Sequence, residues 1–187
     1  MSIKMISLRS QYISRFTDEE MHMMPILNDL RLLIVEDDAP KRKAIELLVA
    51  EFLPAACVKS VHSLSTAINA IEVESFDVAV VDMSLPTYDF AVDKEGGGQP
   101  EGFGGAEILR FIESESPNTG CIIVTQYQEF PDKSAGTSKR IEELAGELVA
   151  EFPDILYGVF YYSGQRGGWR DELRLALQKI VEDKHGD

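Results

Sequence analysis

The sequence predicts an α/β fold in which a doubly wound, five-stranded parallel sheet carries helices on both faces. From Leu30 onward, short apolar runs alternate five times with longer segments whose apolar residues recur at helical spacing. This alternation is typical of βαβ units. The runs contain few polar residues, as expected for strands that are covered on both sides. A chain of 187 residues is long enough for one such domain with short extensions.

The first strand and helix are the most clearly marked pair. The strand is predicted over Arg31–Glu36, and Asp38 is of a type that caps the helix that follows. Pro40 falls in the first turn of that helix, where a missing amide costs no hydrogen bond. Apolar residues at three- and four-residue steps then predict one buried stripe, formed by Ile45, Leu48, Val49 and Phe52.

Four further pairs follow along the chain. Their strands are predicted over Cys57–Val61, Phe76–Val81, Cys121–Val124 and Ile155–Tyr161. Ser63 is expected to cap the second helix, and Ser138 is expected to cap the fourth. The third helix is predicted over Ala106–Glu113 and the fifth over Trp169–Glu182. On the fourth helix the predicted inward residues are Ile141, Leu144, Leu148, Val149 and Phe152.

Acidic residues follow two of these strands at the point where each strand ends. Glu36 and Asp37 end the first strand, and Asp82 follows the third. Thr125 follows the fourth strand in the same way. Because the carboxyl ends of parallel strands share one crevice, these side chains are predicted to meet there, although 45 positions separate Asp37 from Asp82.

Two connections beside this crevice are longer than usual. One is the glycine-rich stretch after Pro86, and the other is QYQEFPDKSAGTS after Thr125. Two interpretations stay open: a lid or partner-specific surface, or surface insertions that the fold tolerates.

Composition limits the possible functions. Eighteen basic and 32 acidic residues give a net charge of −14, which disfavours direct binding to nucleic acid or to an anionic membrane. No run approaches the roughly 18 apolar residues of a membrane-spanning helix. Cys57 and Cys121 each lie in an apolar stretch, which predicts two buried thiols in a reducing, cytoplasmic location. Residues 1–28 are expected to be a flexible extension outside the domain, which is predicted over residues 29–187.

Three segments carry a resemblance to a known family. LLIVEDD, VAVVDMSLP and CIIVT are similar to the first, third and fourth strands of response-regulator receiver domains, and the resemblance covers about residues 30–184. It implies the flavodoxin-like strand order 2-1-3-4-5. It also implies that Asp82 accepts a phosphoryl group and that Thr125 contacts its oxygens. The resemblance further implies Mg²⁺ as cofactor, held by Glu36, Asp37, Asp82 and the backbone carbonyl of Ser84.

The function implied is that of a stand-alone receiver in phosphorelay signalling, without an output domain and without enzymatic activity beyond its own phosphorylation and dephosphorylation. The expected partners are a histidine kinase or phosphotransfer protein and a downstream protein effector, with no nucleic acid and no membrane. A homodimer through the face of the fourth and fifth strands is left open.

One feature departs from the family pattern. Receivers carry a lysine at the end of the fifth strand, whereas this chain has VFYYSGQ there, with Tyr162 or Ser163 at the corresponding position. Arg166 lies further on and is more simply interpreted as a solvent-facing residue. Two alternatives therefore stay open: an adaptor that works without phosphorylation and, less favoured, a metal-dependent phosphotransfer enzyme.

Overall fold

The computed structural model describes residues 30–89, 103–132, 137–164 and 167–185. Within them, five parallel strands form one sheet. These strands are β1 (Arg31–Val35), β2 (Cys57–Val61), β3 (Val78–Val81), β4 (Gly120–Thr125) and β7 (Leu156–Tyr161). Their order across the sheet is β2-β1-β3-β4-β7, which is the predicted order 2-1-3-4-5 when only these five are counted. The fold class and the sheet topology are confirmed.

Helices cover both faces of the sheet. In the described residues the helices are α1 (Ala39–Phe52), α2 (Leu64–Val73), α3 (Gly104–Glu115), α4 (Ile141–Glu151) and α5 (Gly168–His185). One apolar cluster joins α2, α3 and α4 to one face of the sheet, and a second joins α1 and α5 to the other. Alternate residues of β1 supply both clusters, with Leu33 on the first face and Ile34 on the second. Burial on both sides explains why the strands are apolar nearly throughout.

Two predicted helix caps are present. The Asp38 side chain accepts a hydrogen bond from the backbone N–H of Lys41 at 2.8 Å, and Pro40 lies in the first turn of α1. Ser63 forms a capping box with Thr66 at the start of α2. Each cap satisfies amide groups that the helix itself leaves without partners. The chain direction after β1 and after β2 is therefore fixed by local hydrogen bonds.

Three finer predictions were wrong. Ser138 does not cap α4, because it lies in an extended strand and the N-cap is Arg140, whose side chain makes no capping hydrogen bond. Val149 is 48% exposed, since the buried side of α4 is narrower than the apolar pattern indicated. Cys57 is exposed because β2 is an edge strand, whereas Cys121 is buried in β4 as predicted.

The long connection after Thr125 forms an antiparallel hairpin of β5 (Glu129–Asp132) and β6 (Thr137–Arg140). Phe130 of this hairpin is only 2% exposed and belongs to the cluster that includes α3 and α4. Its ring lies 6.1 Å from the ring of Phe103, the residue that precedes α3. The described part of this connection is therefore a hairpin whose position is fixed by a buried aromatic residue.

Two other predictions concern parts of the chain that the structure covers incompletely. The flexible extension over residues 1–28 lies outside the described residues, as does most of the glycine-rich stretch after Pro86. Among the helices described, none is both long enough and apolar enough to span a bilayer.

Replacing Phe130 with alanine should lower the free energy of unfolding by about 3 kcal/mol, because the change leaves a cavity under the hairpin. Tyr127→Ala is the matched control, since that ring is 47% exposed, and it should cost less than about 1 kcal/mol. Urea denaturation measures both. Equal losses for the two variants would contradict the anchoring role of Phe130.

Candidate functional site

The three predicted acids meet at the carboxyl edge of the sheet. Val35 and Val81 are register partners in the pairing of β1 with β3, and the acids come directly after them. One carboxylate oxygen from each of Glu36, Asp37 and Asp82 lies within 4.8 Å of the other two. The sheet topology thus brings together the acids that the sequence placed at strand ends.

Burial differs sharply within this cluster. Glu36 and Asp82 are 1% and 2% exposed, whereas Asp37 is exposed. The backbone on both sides is held by the sheet, since Asp82 N–H donates to Val35 O at 2.9 Å and Glu36 N–H donates to Val61 O at 3.0 Å. Two carboxylates are consequently fixed in a dry position, where an ionised group needs a cation nearby.

Lys41 supplies a cation to this cluster. Its ammonium nitrogen lies 2.6 Å from Asp82 Oδ1 and 2.6 Å from Glu36 Oε2, and its side chain is fully buried. The ammonium donates a hydrogen bond to Asp82. Its contact with Glu36 Oε2 lacks hydrogen-bond geometry, so that oxygen accepts no hydrogen bond from the residues described. The lysine therefore places one positive charge in contact with both buried acids.

The position of Lys41 follows from the start of α1. Its backbone amide is held by the Asp38 cap, and its side chain lies one helical turn before Ile45, on the buried side of the helix. Steps of four and three residues connect Lys41, Ile45 and Leu48, so the lysine continues the apolar stripe toward the sheet edge. Sequence reasoning missed Lys41, and this spacing is the signal that could have identified it.

Burial changes the acidity of both buried acids. Desolvation raises the pKa of Glu36 to about 7, and the charge of Lys41 opposes part of that rise. Desolvation also raises the pKa of Asp82, again against the effect of Lys41. One ammonium does not fully compensate two buried carboxylates, so the metal-free pocket tends to retain a proton near neutral pH.

The cluster has the donor chemistry of a site for a hard divalent cation. Glu36, Asp37 and Asp82 offer carboxylate oxygens, the ligands that Mg²⁺ prefers. Glu36 Oε2 is buried and lies 2.6 Å from the Lys41 ammonium, so this oxygen is already in contact with a cation. The backbone N–H of Ser84 donates to Asp82 Oδ2 at 3.3 Å. The predicted metal-binding role of the Ser84 carbonyl stays a prediction.

Thr125 ends β4 at the same sheet edge and is fully buried. Its hydroxyl oxygen accepts a hydrogen bond from the backbone N–H of Tyr127 at 3.3 Å. Its carbonyl accepts from the N–H of Tyr162 at 2.7 Å, which links the end of β4 to the end of β7. The predicted contact between the Thr125 hydroxyl and a phosphoryl group stays a prediction.

The end of β7 differs from the family pattern in structure as well as in sequence. The ring of Tyr162 packs against Trp169 of α5, with 4.9 Å between ring centroids. Arg166 lies outside the described residues. Within the described part of the chain, the ammonium that reaches the acids comes from α1 and not from the end of β7.

Gly105 holds α3 against the backbone of the acidic site. Its N–H donates to Met83 O at 2.9 Å. A Cβ at this position would lie only 2.5 Å from Asp82 O and 2.8 Å from the Met83 Cα. A glycine is therefore required for helix α3 to approach the segment that carries Asp82.

Sequence comparisons find two relatives of this chain. No protein-family model matches the chain. The chain is 27% identical, over 154 residues, to the Detocs response regulatory protein DtcB of Enterobacter cloacae (strain JD6301). That match covers 82% of this chain and 99% of DtcB. A second relative, the uncharacterized protein y4jR of Sinorhizobium fredii (strain NBRC 101917 / NGR234), is 24% identical over 79% of this chain and 96% of its own length.

Solved structures identify the fold. The signal receiver domain of an HD domain-containing protein from Pseudomonas fluorescens Pf-5 superposes with a TM-score of 0.56 at 17% identity, over 85% of this chain and 99% of that one. A CheY-like response regulator receiver domain protein from Methanospirillum hungatei JF-1 gives 0.54 at 20% identity, over 84% and 98%. The chain has the receiver-domain fold. Another receiver-fold match is the response regulator TrrA of Thermotoga maritima, solved in complex with Mg²⁺ and BeF, at a TM-score of 0.53 and 16% identity over 81% and 98%.

Gly105→Ala should destabilise the receiver domain by about 1 to 3 kcal/mol, because the added methyl group overlaps backbone atoms of Asp82 and Met83. Gly146→Ala is the matched control, since a Cβ there meets no atom within 4 Å and the site is an exposed helix interior. That change should stabilise by about 0.5 to 1 kcal/mol. Thermal and urea unfolding measure both effects, and equal shifts for the two variants would be incompatible with the packing of α3 described above.

The ionisation of Glu36 should make stability depend on pH in metal-free buffer. As the pH rises from 4.5, the usual pKa, to about 7, the unfolded chain loses the Glu36 proton while the folded chain keeps it. The free energy of unfolding should therefore fall across this window, by an amount on the order of a few kcal/mol. Glu36→Gln removes the titration and leaves an amide oxygen that can accept from Asp38 N–H.

Urea denaturation with EDTA at pH 5 and pH 8 measures this effect. The wild type should lose stability relative to Glu36→Gln as the pH rises. Glu113→Gln, which changes an exposed carboxylate on α3, should follow the wild-type pH profile. Parallel profiles for the wild type and Glu36→Gln would show that Glu36 does not titrate in this range.

Proposed function

We propose that this chain is a response-regulator receiver in phosphorelay signalling, with Asp82 as the residue that accepts the phosphoryl group. The observation that carries the proposal is the position of Asp82, buried at the carboxyl edge of β3 with oxygens of Glu36 and Asp37 within 4.8 Å. The receiver fold and the similarity to a response regulatory protein support it.

The reaction proposed is the transfer of a phosphoryl group from a phosphohistidine. A carboxylate oxygen of Asp82 forms the new bond to phosphorus while the phosphorus–nitrogen bond of the donor breaks. The electron pair of that bond stays with the imidazole nitrogen, which takes up a proton from water. The products are an acyl phosphate on Asp82 and a free histidine on the kinase or phosphotransfer protein.

Charge is the main obstacle, because an anionic carboxylate must approach an anionic phosphoryl group. Mg²⁺ held by Glu36, Asp37, Asp82 and the Ser84 carbonyl would neutralise charge and orient the donor. The backbone bond from Asp82 N–H to Val35 O holds the acceptor at the sheet edge. The Thr125 hydroxyl is the proposed contact for the phosphoryl oxygens.

The proposed output is a change in protein–protein contacts. Thr125 is joined to Tyr162 by a backbone hydrogen bond, so movement at the end of β4 would be transmitted to the end of β7. A downstream effector, or a second copy of the chain, would bind the face formed by the ends of β4 and β7. A cytoplasmic location fits this proposal, because Cys57 and Cys121 are both free thiols.

A second candidate is an adaptor with the same fold that works without phosphorylation. The observation that favours it is the ion pair between Lys41 and Asp82, which already neutralises the acceptor carboxylate. The two candidates differ in one measurable event, namely a covalent phosphoryl group on Asp82.

Incubation with acetyl phosphate and Mg²⁺ should give a single phosphoryl adduct, which intact-mass spectrometry detects. The adduct should be absent from Asp82→Ala and from samples that contain EDTA. Asp77→Asn is the matched control, because Asp77 lies just before β3, at the opposite end of the strand from Asp82, and it should leave the adduct intact.

A phosphorylated histidine phosphotransfer protein serves as a second donor, for the case in which the small donor does not react. If neither donor labels Asp82 while Mg²⁺ binding is measurable, the receiver proposal fails and the adaptor becomes the better description.

A further inference from the structure

The lysine in the acidic pocket contacts two of the carboxylates that are predicted to hold the metal. The ammonium nitrogen of Lys41 is 2.6 Å from Glu36 Oε2 and 2.6 Å from Asp82 Oδ1, and both acids belong to the three-carboxylate cluster. Both acids are almost fully buried, so the cation between them is shielded from water. We infer that Lys41 is a tethered cation that competes with Mg²⁺ for this pocket, so that the metal binds only when the ammonium withdraws.

Space is the first argument for competition. The ammonium already contacts one oxygen of each buried acid at 2.6 Å. Mg²⁺ binds oxygens at about 2.0–2.1 Å and demands near-octahedral geometry, so it would need the volume that the ammonium fills.

Charge is the second argument. A divalent cation and an ammonium in one buried pocket repel each other strongly, because water does not screen them there. With the ammonium in place, the cluster carries much less net negative charge for Mg²⁺ to bind. When the ammonium leaves, three carboxylates face the metal, and both buried acids exchange one cation for another.

The build of α1 makes such an exchange feasible. Lys41 lies in the first turn of the helix, and its backbone is held by the Asp38 cap, independently of where its side chain points. The ammonium is attached by a flexible four-carbon stem, so it can move without unwinding the helix. The pocket would then hold one of two cations. One is the Lys41 ammonium, and the other is Mg²⁺ when its concentration is high enough.

This competition rests on the proposed receiver site, because it concerns the metal of that site. It is measured without any phosphoryl donor, so its failure and the failure of the proposed function are distinguishable. If Asp82 were never phosphorylated while the competition was observed, only the proposed function would fall.

The first experiment is a calorimetric Mg²⁺ titration of the full chain as wild type, Lys41→Met and Lys43→Met. Lys41→Met removes the buried ammonium and keeps a long apolar stem, so Mg²⁺ affinity should rise by at least about tenfold. Lys43→Met removes the same charge from an exposed position on the same helix, where Lys43 pairs with Glu46 at 3.7 Å. That control should change the affinity by less than about threefold.

Two outcomes of the titration would overturn the inference. One is an Mg²⁺ affinity of Lys41→Met that is equal to or weaker than that of the wild type. The other is the lack of measurable binding in both proteins up to millimolar Mg²⁺.

A second measurement uses the wild-type protein alone, so its outcome does not depend on how a substitution at Lys41 affects folding. The side-chain ammonium of Lys41 can be followed by nitrogen-15 NMR and assigned through its own side-chain carbons. In EDTA its signal should be visible, since a buried ammonium is protected from exchange with water. Saturation with Mg²⁺ should abolish that signal or move it to the position of exposed lysines. An unchanged signal at saturating Mg²⁺ would refute the competition.

Discussion

The structure depends on keeping two carboxyl groups out of water at the edge of a parallel sheet. The backbones of Glu36 and Asp82 are held there by hydrogen bonds to neighbouring strands, and both side chains are almost fully buried. Such a pair is tolerated only with a nearby cation or a retained proton. Lys41 provides the cation in the structure described here, and the raised pKa of Glu36 reflects the charge that it leaves uncompensated.

Helices packed on both faces of the sheet hold the acidic pocket in place. On one face, the Asp38 cap begins α1 so that Lys41 lies on its buried side. On the other face, Gly105 brings α3 into contact with the backbone of Asp82, and the hairpin residue Phe130 packs against the residue before α3. The acidic pocket is thus in contact with helices on both faces of the sheet. A change in its charge would therefore act on the packing of α1 and of α3.

Most of the fold could be predicted because strands that are buried on both faces are apolar nearly throughout, and such runs are easy to recognise in the sequence. β2 was predicted with its observed ends, and the acids at positions 36, 37 and 82 were placed correctly because parallel strands end at one shared edge. The β5–β6 hairpin could not be predicted, since its pairing depends on the burial of Phe130 against distant residues. Lys41 was missed for a similar reason: lysine is rarely buried, and its burial here depends on Glu36 together with Asp82, which lies 41 positions away.

The segment that supplies the buried ammonium also determines which positions of the chain the acidic pocket constrains. Glu36, Asp37 and Lys41 lie within six consecutive residues, so two carboxylates and the ammonium come from a single strand–helix unit. The pocket needs only one other segment, the one that carries Asp82. A lysine at the end of β7 would have tied that strand to the site, whereas here the residues there form an aromatic contact between Tyr162 and Trp169. Among the described residues after β7, Tyr162 is therefore constrained by its packing against α5, whereas the ammonium that contacts the acids is supplied by α1.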